Sequence, residues 1–149
     1  MKKYLLAAAL AAVAFNASAA EKIRFASSAT YPPFESLDAN NQIVGFDMDL
    51  AKALCKQMQA ECTFTNQAFD SLIPALKFRK YDAVISGMDI TPERSKQVTF
   101  TNPYYSNSAL VVAKKGEYTS FSQLKGKRIG MENGTTHQKY LQEKHPEVK

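Results

Sequence analysis

The chain is poor in the residues from which metal, redox and nucleophilic centres are built. Its 149 residues hold two histidines and two cysteines. His137 and His145 stand eight apart with no carboxylate pattern around them, so they do not read as zinc ligands. Cys55 and Cys62 form no C-x-x-C, which excludes a thiol-exchange motif and leaves no metal set. No nucleophile–base pair, phosphate loop or cofactor fingerprint appears, so no cofactor is expected and Glu35 and Asp89 are the main groups able to serve as a general acid or base. Internal repeats and low-complexity tracts are also lacking. The cationic excess is small: the formal net charge is +5, and the only basic clusters are the short Lys77-Phe78-Arg79-Lys80 and Lys125-Gly126-Lys127-Arg128. With the lysines otherwise scattered among Asp and Glu, nucleic acid is not the expected partner.

After residue 20 no apolar run is long enough to cross a bilayer. The one long run comes first: Lys2-Lys3, an Ala/Leu-rich stretch through Phe15, and Ala17-Ser18-Ala19 as a small-residue cleavage site. Residues 1–19 therefore read as a signal peptide for bacterial export, with a mature chain beginning near Ala20 in the periplasm. Its removal takes two of the 19 basic residues and none of the 14 acidic ones, leaving 17 − 14 = +3. In an oxidising compartment Cys55 and Cys62 are expected to form one disulfide, stabilising by about 2–3 kcal/mol for so short a loop.

Periodicity places the elements. Lys22–Ala26 alternates as a first strand, and Ser27–Glu35 is a loop stiffened by Pro32-Pro33 that carries Tyr31 and Phe34. Leu37 and Ile43-Val44 flank the turn-rich 38–42 segment as a hairpin. A helix follows, capped by Asp47 or a neighbour, with Phe46, Leu50, Leu54 and Met58 as its repeating apolar face. Cys62 opens the strand 63–65. A second helix starts at Asp70 or Ser71, and Ala83–Ile85 is a strand covered on both faces. Ala109–Ala113 and Arg128–Met131 read as further strands, Phe121–Leu124 as a short helix at most, and 137–144 as a helix. Strands alternating with helices at this spacing indicate parallel β-α-β units and an α/β fold. In such sheets ligands bind at the carboxyl ends of strands, which brings together the loops 27–35, 66–70 with Phe69, and 86–94.

The last of these loops concentrates the most chemistry. Ser86-Gly87 lets backbone approach a ligand closely, Thr91-Pro92 starts a helix, and Arg94 falls in its first turn, where a carboxylate would be welcome. Asp89 offers the opposite charge nearby, and the pair suits the ammonium and carboxylate of an amino acid. A surface Asp–Arg pair beside an ordinary turn reads the same residues equally well. Glu132-Asn133-Gly134-Thr135-Thr136 repeats this logic in a second strand-to-helix turn.

Four motifs in order then resemble the polar amino-acid-binding proteins of bacterial ABC importers, solute-binding protein family 3: Tyr31-Pro32-Pro33-Phe34-Glu35, Gly45-Phe46-Asp47-Met48-Asp49-Leu50-Ala51, Ser86 through Arg94, and Lys125-Gly126-Lys127-Arg128-Ile129-Gly130. The resemblance implies a two-lobed type II periplasmic binding fold that encloses a ligand, arginine or another basic amino acid, and docks as a monomer on a membrane permease. It implies that Arg94, with Thr136, grips the α-carboxylate, that Asp89 and the Gly87 carbonyl take the α-ammonium, and that Tyr31 and Phe69 sandwich the side chain. Ser28 stands where relatives binding lysine, ornithine or histidine carry an aspartate, and Glu35, on the same loop, is assigned to the guanidinium in its place. A shift to polar composition at Lys114-Lys115-Gly116-Glu117-Tyr118 places the boundary, with residues 20–113 as the first lobe and 114–149 as the hinge and the start of a second. The remainder of that lobe is expected beyond Lys149, so the chain reads as a truncated product. The rival readings are a dehydratase-like enzyme on the same fold, a signalling lobe, and a truncated product without function.

Overall fold

A computed structural model describes residues 20–149 of the protein; the signal peptide assigned to 1–19 lies outside the described residues. Among the described residues no helix is long and apolar enough to cross a membrane.

Strand β1 (Lys22–Ser27) is central in a three-stranded parallel sheet, between β5 (Glu61–Asn66) and β6 (Ala83–Val84). Two helices provide the crossovers: α1 (Phe46–Gln57) between β1 and β5, and α2 (Leu72–Lys77), preceded by the 3-10 turn Phe69–Ser71, between β5 and β6. The α/β expectation is met for the reason given by the pattern, since parallel neighbours need a crossover. Side-chain alternation along β1 divides the core in two. Phe25 packs with Met48, Ala51, Cys55 and Ile85, whereas Ala26 packs with Leu72 and Tyr81. The Cys55–Cys62 disulfide, with Cα atoms 6.2 Å apart, ties α1 to the start of β5.

A small antiparallel sheet, β2 (Thr30–Tyr31), β3 (Glu35–Leu37) and β4 (Ile43–Val44), holds the loop after β1. Its hairpin turn is closed by Asp38, whose Oδ1 accepts from the backbone N–H groups of Asn40 and Gln42 at 2.8 Å each.

Of the apolar face expected for helix α1, Leu50 packs against the core and the other three residues do not. Met48, Ala51 and Cys55 are buried, while Phe46, Leu54 and Met58 are 45–50 % exposed. A strict four-residue repeat drifts around a helix of 3.6 residues per turn, and the small Ala51 and Cys55 let the helix lie close on the sheet. Its N-cap position is Gly45, not Asp47. The strands expected at 109–113 and 128–131 do not form. Leu110 and Val112 are 85 % and 90 % exposed and their backbone finds no ladder partner among the described residues. Apolar β-branched composition fits a pleated surface but cannot supply a neighbour. Around Arg128 only the start of a ladder exists: Lys149 N–H donates to the Lys127 carbonyl (2.8 Å) and its own carbonyl accepts from Ile129 N–H (2.9 Å). Beyond it, α4 (Thr136–Lys144) is capped by Thr135, whose Oγ1 accepts from Gln138 N–H at 3.3 Å.

Candidate functional site

The carboxyl ends of the three parallel strands are stitched together by polar groups. Ala29 N–H donates to Asn66 Oδ1 (3.0 Å), Gln67 N–H to the Ser27 carbonyl (2.9 Å), and Ser28 N–H to Ser86 Oγ (2.9 Å). The three loops named from sequence therefore emerge side by side.

Ser86 Oγ in turn donates to Glu35 Oε1 at 2.8 Å. Ser28, Ser86 and Glu35 are 3 %, 3 % and 1 % exposed, so Glu35 lies beneath the loops and does not face solvent. Its Oε2 has no hydrogen-bond partner. Burial, reinforced by the neighbouring Asp47 carboxylate, pushes Glu35 up to about 8, although the Ser86 hydroxyl acts in the other direction.

Asp47 is the residue whose importance the sequence concealed. It is fully buried in the first turn of α1, and its Oδ2 accepts from Gly87 N–H (2.8 Å) and from the Tyr104 hydroxyl (2.9 Å). This fixes the peptide of Gly87, whose φ of 50° suits glycine and whose missing Cβ would sit 3.3 Å from the Tyr31 ring. An acidic residue on the same side of α1 as Met48 and Ala51 was the available signal. Burial and the Asp47 carboxylate together raise the Tyr104 hydroxyl far above its ordinary value.

At the next turn Thr91 Oγ1 accepts from Arg94 N–H (3.2 Å) and Pro92 opens α3 (Pro92–Ser95), as the sequence indicated. With only four residues, α3 contributes little dipole, and the attraction for an anion rests on the guanidinium itself. Arg94 is half-buried. Its Nη1 donates to the Asp89 carbonyl (2.7 Å), its Nη2 to the Gly134 carbonyl (2.9 Å), and the group lies 5.5 Å from the Phe69 ring centroid. Burial lowers its proton affinity, while Asp89 pulls in the opposite direction. Asp89 Oδ2 accepts from Thr136 Oγ1 at 2.5 Å. Arg94, Asp89, Phe69 and Thr136 are thus brought together.

Tyr31 stacks on Phe34 with ring centroids 5.1 Å apart, so Tyr31 and Phe69 are engaged on different partners. Beside Tyr31 a cavity of about 310 Å3 is lined by Gly87, Met88, Asp89 and Ile90 and, across from them, by Tyr104, Tyr105 and Asn107. Among the described residues no group of three or more His, Cys, Asp or Glu side chains is placed to hold a metal ion. Asp89 lines this aromatic cavity, and Arg94, which donates to the Asp89 carbonyl, lies beside it outside the lining.

The comparisons with known proteins converge. Residues 23–147 match the model for bacterial extracellular solute-binding proteins, family 3. The chain is 80 % identical over 149 residues to the ABC transporter arginine-binding protein 1 of Escherichia coli, covering all of this chain and 61 % of that protein. It is 60 % identical to a Salmonella typhimurium periplasmic binding protein described as having high arginine specificity, with a TM-score of 0.85 over 87 % of this chain and 58 % of that one. An ancestral amino acid-binding protein, described as a precursor of cyclohexadienyl dehydratase, is 38 % identical with a TM-score of 0.78, covering 86 % of this chain and 59 % of the other. The chain thus spans about 60 % of the length of these relatives. Parallel sheet, strand-end site and sequence agree, and the chain belongs to the bacterial extracellular solute-binding proteins, family 3.

Proposed function

We propose that the protein is the periplasmic solute-binding component of an amino-acid ABC importer, exported through residues 1–19, and that it takes L-arginine or a related basic amino acid and presents it, as a monomer, to a membrane permease. The observation that carries this reading is the juxtaposition of Asp89 with Arg94, whose guanidinium lies over Phe69. An α-carboxylate replaces the backbone carbonyls on Nη1 and Nη2 of Arg94, since a charged bidentate acceptor outcompetes neutral single ones. The α-ammonium goes to Asp89 and to the Gly87 carbonyl, whose peptide Asp47 already orients. Thr136 brings the segment after residue 114 on to the same groups. Tyr31 and Phe69 flank the side chain, whose flat guanidinium stacks on aromatic faces. Glu35, joined to Ser28 through Ser86, is the acidic group that meets that guanidinium, giving up its proton as the cation arrives. Residues 20–113 act as the first lobe, and 114–149 as the hinge and part of the second.

The relative at 80 % identity is named an arginine-binding protein of an ABC transporter, which favours transport over catalysis. The likeness to a dehydratase precursor keeps one enzymatic alternative worth testing. Calorimetry with arginine, lysine, histidine and citrulline, together with product analysis on cyclic carboxylic acids, discriminates the two. Arginine bound and recovered unchanged is the expected result. Consumption of a cyclic acid would overturn the proposal.

A further inference from the structure

We infer that Glu35 and Asp47 hold one proton between them, carried on Glu35 Oε2 and donated to Asp47 Oδ1, and that uptake of a cationic side chain displaces it to solvent. The displacement rests on the reading that Glu35 meets the guanidinium of the ligand; the shared proton does not.

Three placements bring the two carboxyl groups together. Asp47 N–H donates to the carbonyl of Phe34, the residue before Glu35, at 3.0 Å. Asp47 Oδ2 accepts from Gly87 N–H at 2.8 Å, and Glu35 Oε1 lies 4.0 Å from the point where a Cβ on that same glycine would stand. Ser86, the neighbour of Gly87, donates its hydroxyl to Glu35 Oε1. Each side chain is thus within hydrogen-bonding reach of the other.

Both residues are buried, and one oxygen of each is engaged: Glu35 Oε1 by Ser86, Asp47 Oδ2 by Gly87 and Tyr104. The other two, Glu35 Oε2 and Asp47 Oδ1, are buried with no hydrogen-bond partner. Among the described residues neither acid forms an ion pair with Lys, Arg or His. Two ionised carboxylates would leave adjacent charges out of water and both oxygens unsatisfied. A single proton removes one charge and turns the two orphan acceptors into one charge-assisted O–H···O hydrogen bond. The surroundings decide which residue carries it. Asp47 accepts from an N–H and an O–H, which favours its charged form. Glu35 accepts from one hydroxyl and faces two acids, Asp47 on α1 and Glu132 on the turn before α4, so it takes the proton. Tyr104, which also packs here, keeps its own proton as the donor to Asp47.

A guanidinium brought to Glu35 supplies the positive charge that the pair lacks. It favours ionised Glu35, and the proton leaves to water as the cation enters. A neutral side chain of the same shape brings no charge and leaves the proton in place.

Infrared spectroscopy of the full chain without ligand tests the shared proton. At pH 7 a protonated-carboxyl band is expected in the unsubstituted chain and absent from Glu35→Gln. In Asp47→Asn the side-chain amide donates to Glu35 and the neighbouring charge is gone, so the band is expected to vanish there too. Its absence from the unsubstituted chain, or its persistence in Asp47→Asn, would overturn the inference. If circular dichroism shows that Asp47→Asn has lost its fold, the unsubstituted chain decides: the band must disappear near pH 8, and its loss in the ordinary carboxylate range would overturn the inference. Calorimetry with L-arginine and its uncharged analogue L-citrulline, in two buffers of different ionisation enthalpy, tests the displacement. At pH 7 arginine is expected to release about one proton and citrulline none, and below pH 8 arginine affinity should rise by up to about tenfold per pH unit relative to citrulline. Arginine bound without proton release would overturn the displacement while leaving the functional reading standing. Failure of arginine to bind at all overturns that reading and the displacement with it, and the infrared band still decides the shared proton.

Discussion

At the scale of single residues, Arg94 illustrates how much a short stretch of sequence can specify. Thr91 as cap and Pro92 as first helical residue set the local backbone, and this alone puts Arg94 in the first turn. Arg94→Ala removes the one charged partner proposed for the α-carboxylate, so affinity should fall by at least about a hundredfold for arginine, lysine and citrulline alike, the magnitude of a charged bidentate contact. Calorimetry across the three ligands checks it, and a loss confined to arginine would show that Arg94 serves the side chain instead. Asp47 is the counter-example. Its sequence context suits a helix cap, and nothing local reveals that Gly87 and Tyr104 will converge on it from 40 and 57 residues away. Glu132 was likewise legible as part of a turn but not as a neighbour of Ser28.

At the scale of elements, the junction between the hairpin and α1 is the tightest feature. Gly45 has φ of 125°, and a Cβ there would lie 2.7 Å from the Phe34 carbonyl carbon and 2.8 Å from the Pro33 oxygen. These are backbone atoms of the segment holding Tyr31 and Glu35, with Phe46 N–H donating to the Pro33 carbonyl and Asp47 N–H to that of Phe34, each at 3.0 Å. Gly45→Ala is expected to destabilise by about 1–3 kcal/mol through backbone strain and the displacement of this loop. Urea unfolding measures it, and a midpoint equal to that of the unsubstituted chain would contradict it. The parallel strands and their crossover helices were readable because periodicity is local. The buried face of α1 was not, because three turns with apolar residues on more than one side leave the choice to the partner surface. The 109–113 stretch failed for a related reason, since a strand is a relation between two segments.

At the scale of the whole molecule, the buried Glu35 couples stability to pH. It titrates near 8 in the folded chain against 4.5 for the free group. Between these values the folded chain holds a proton that the unfolded chain has released, so each rise in pH favours unfolding. This contribution is fully present below the unfolded value and is lost as pH rises through the folded one. Asp82 beside Arg24 and Glu93 beside Lys139 are each lowered to about 2, so what they contribute is present above the ordinary carboxylate range and disappears as pH falls toward 2. The two windows do not overlap. Thermal midpoints are expected to fall from pH 5 to pH 8, and Glu35→Gln should flatten that slope. A slope unaffected by the substitution would mean that Glu35 is ionised in the folded chain throughout.

The sequence by itself determined the parallel α/β class, the capped turn at Arg94, the Cys55–Cys62 bridge and the loops that meet at the strand ends. The bridge follows from a single cysteine pair in an exported chain, and the rest from local periodicity, turn chemistry and the geometry of parallel crossovers. Only the tertiary structure decided that Glu35 is buried, that Asp47 anchors Gly87, that Ala51 and Cys55 rather than Leu54 face the sheet, and that Glu132 reaches Ser28. Burial and pairing at these positions depend on which distant backbone arrives beside them. That is settled by packing complementarity between segments, which no single window of residues contains.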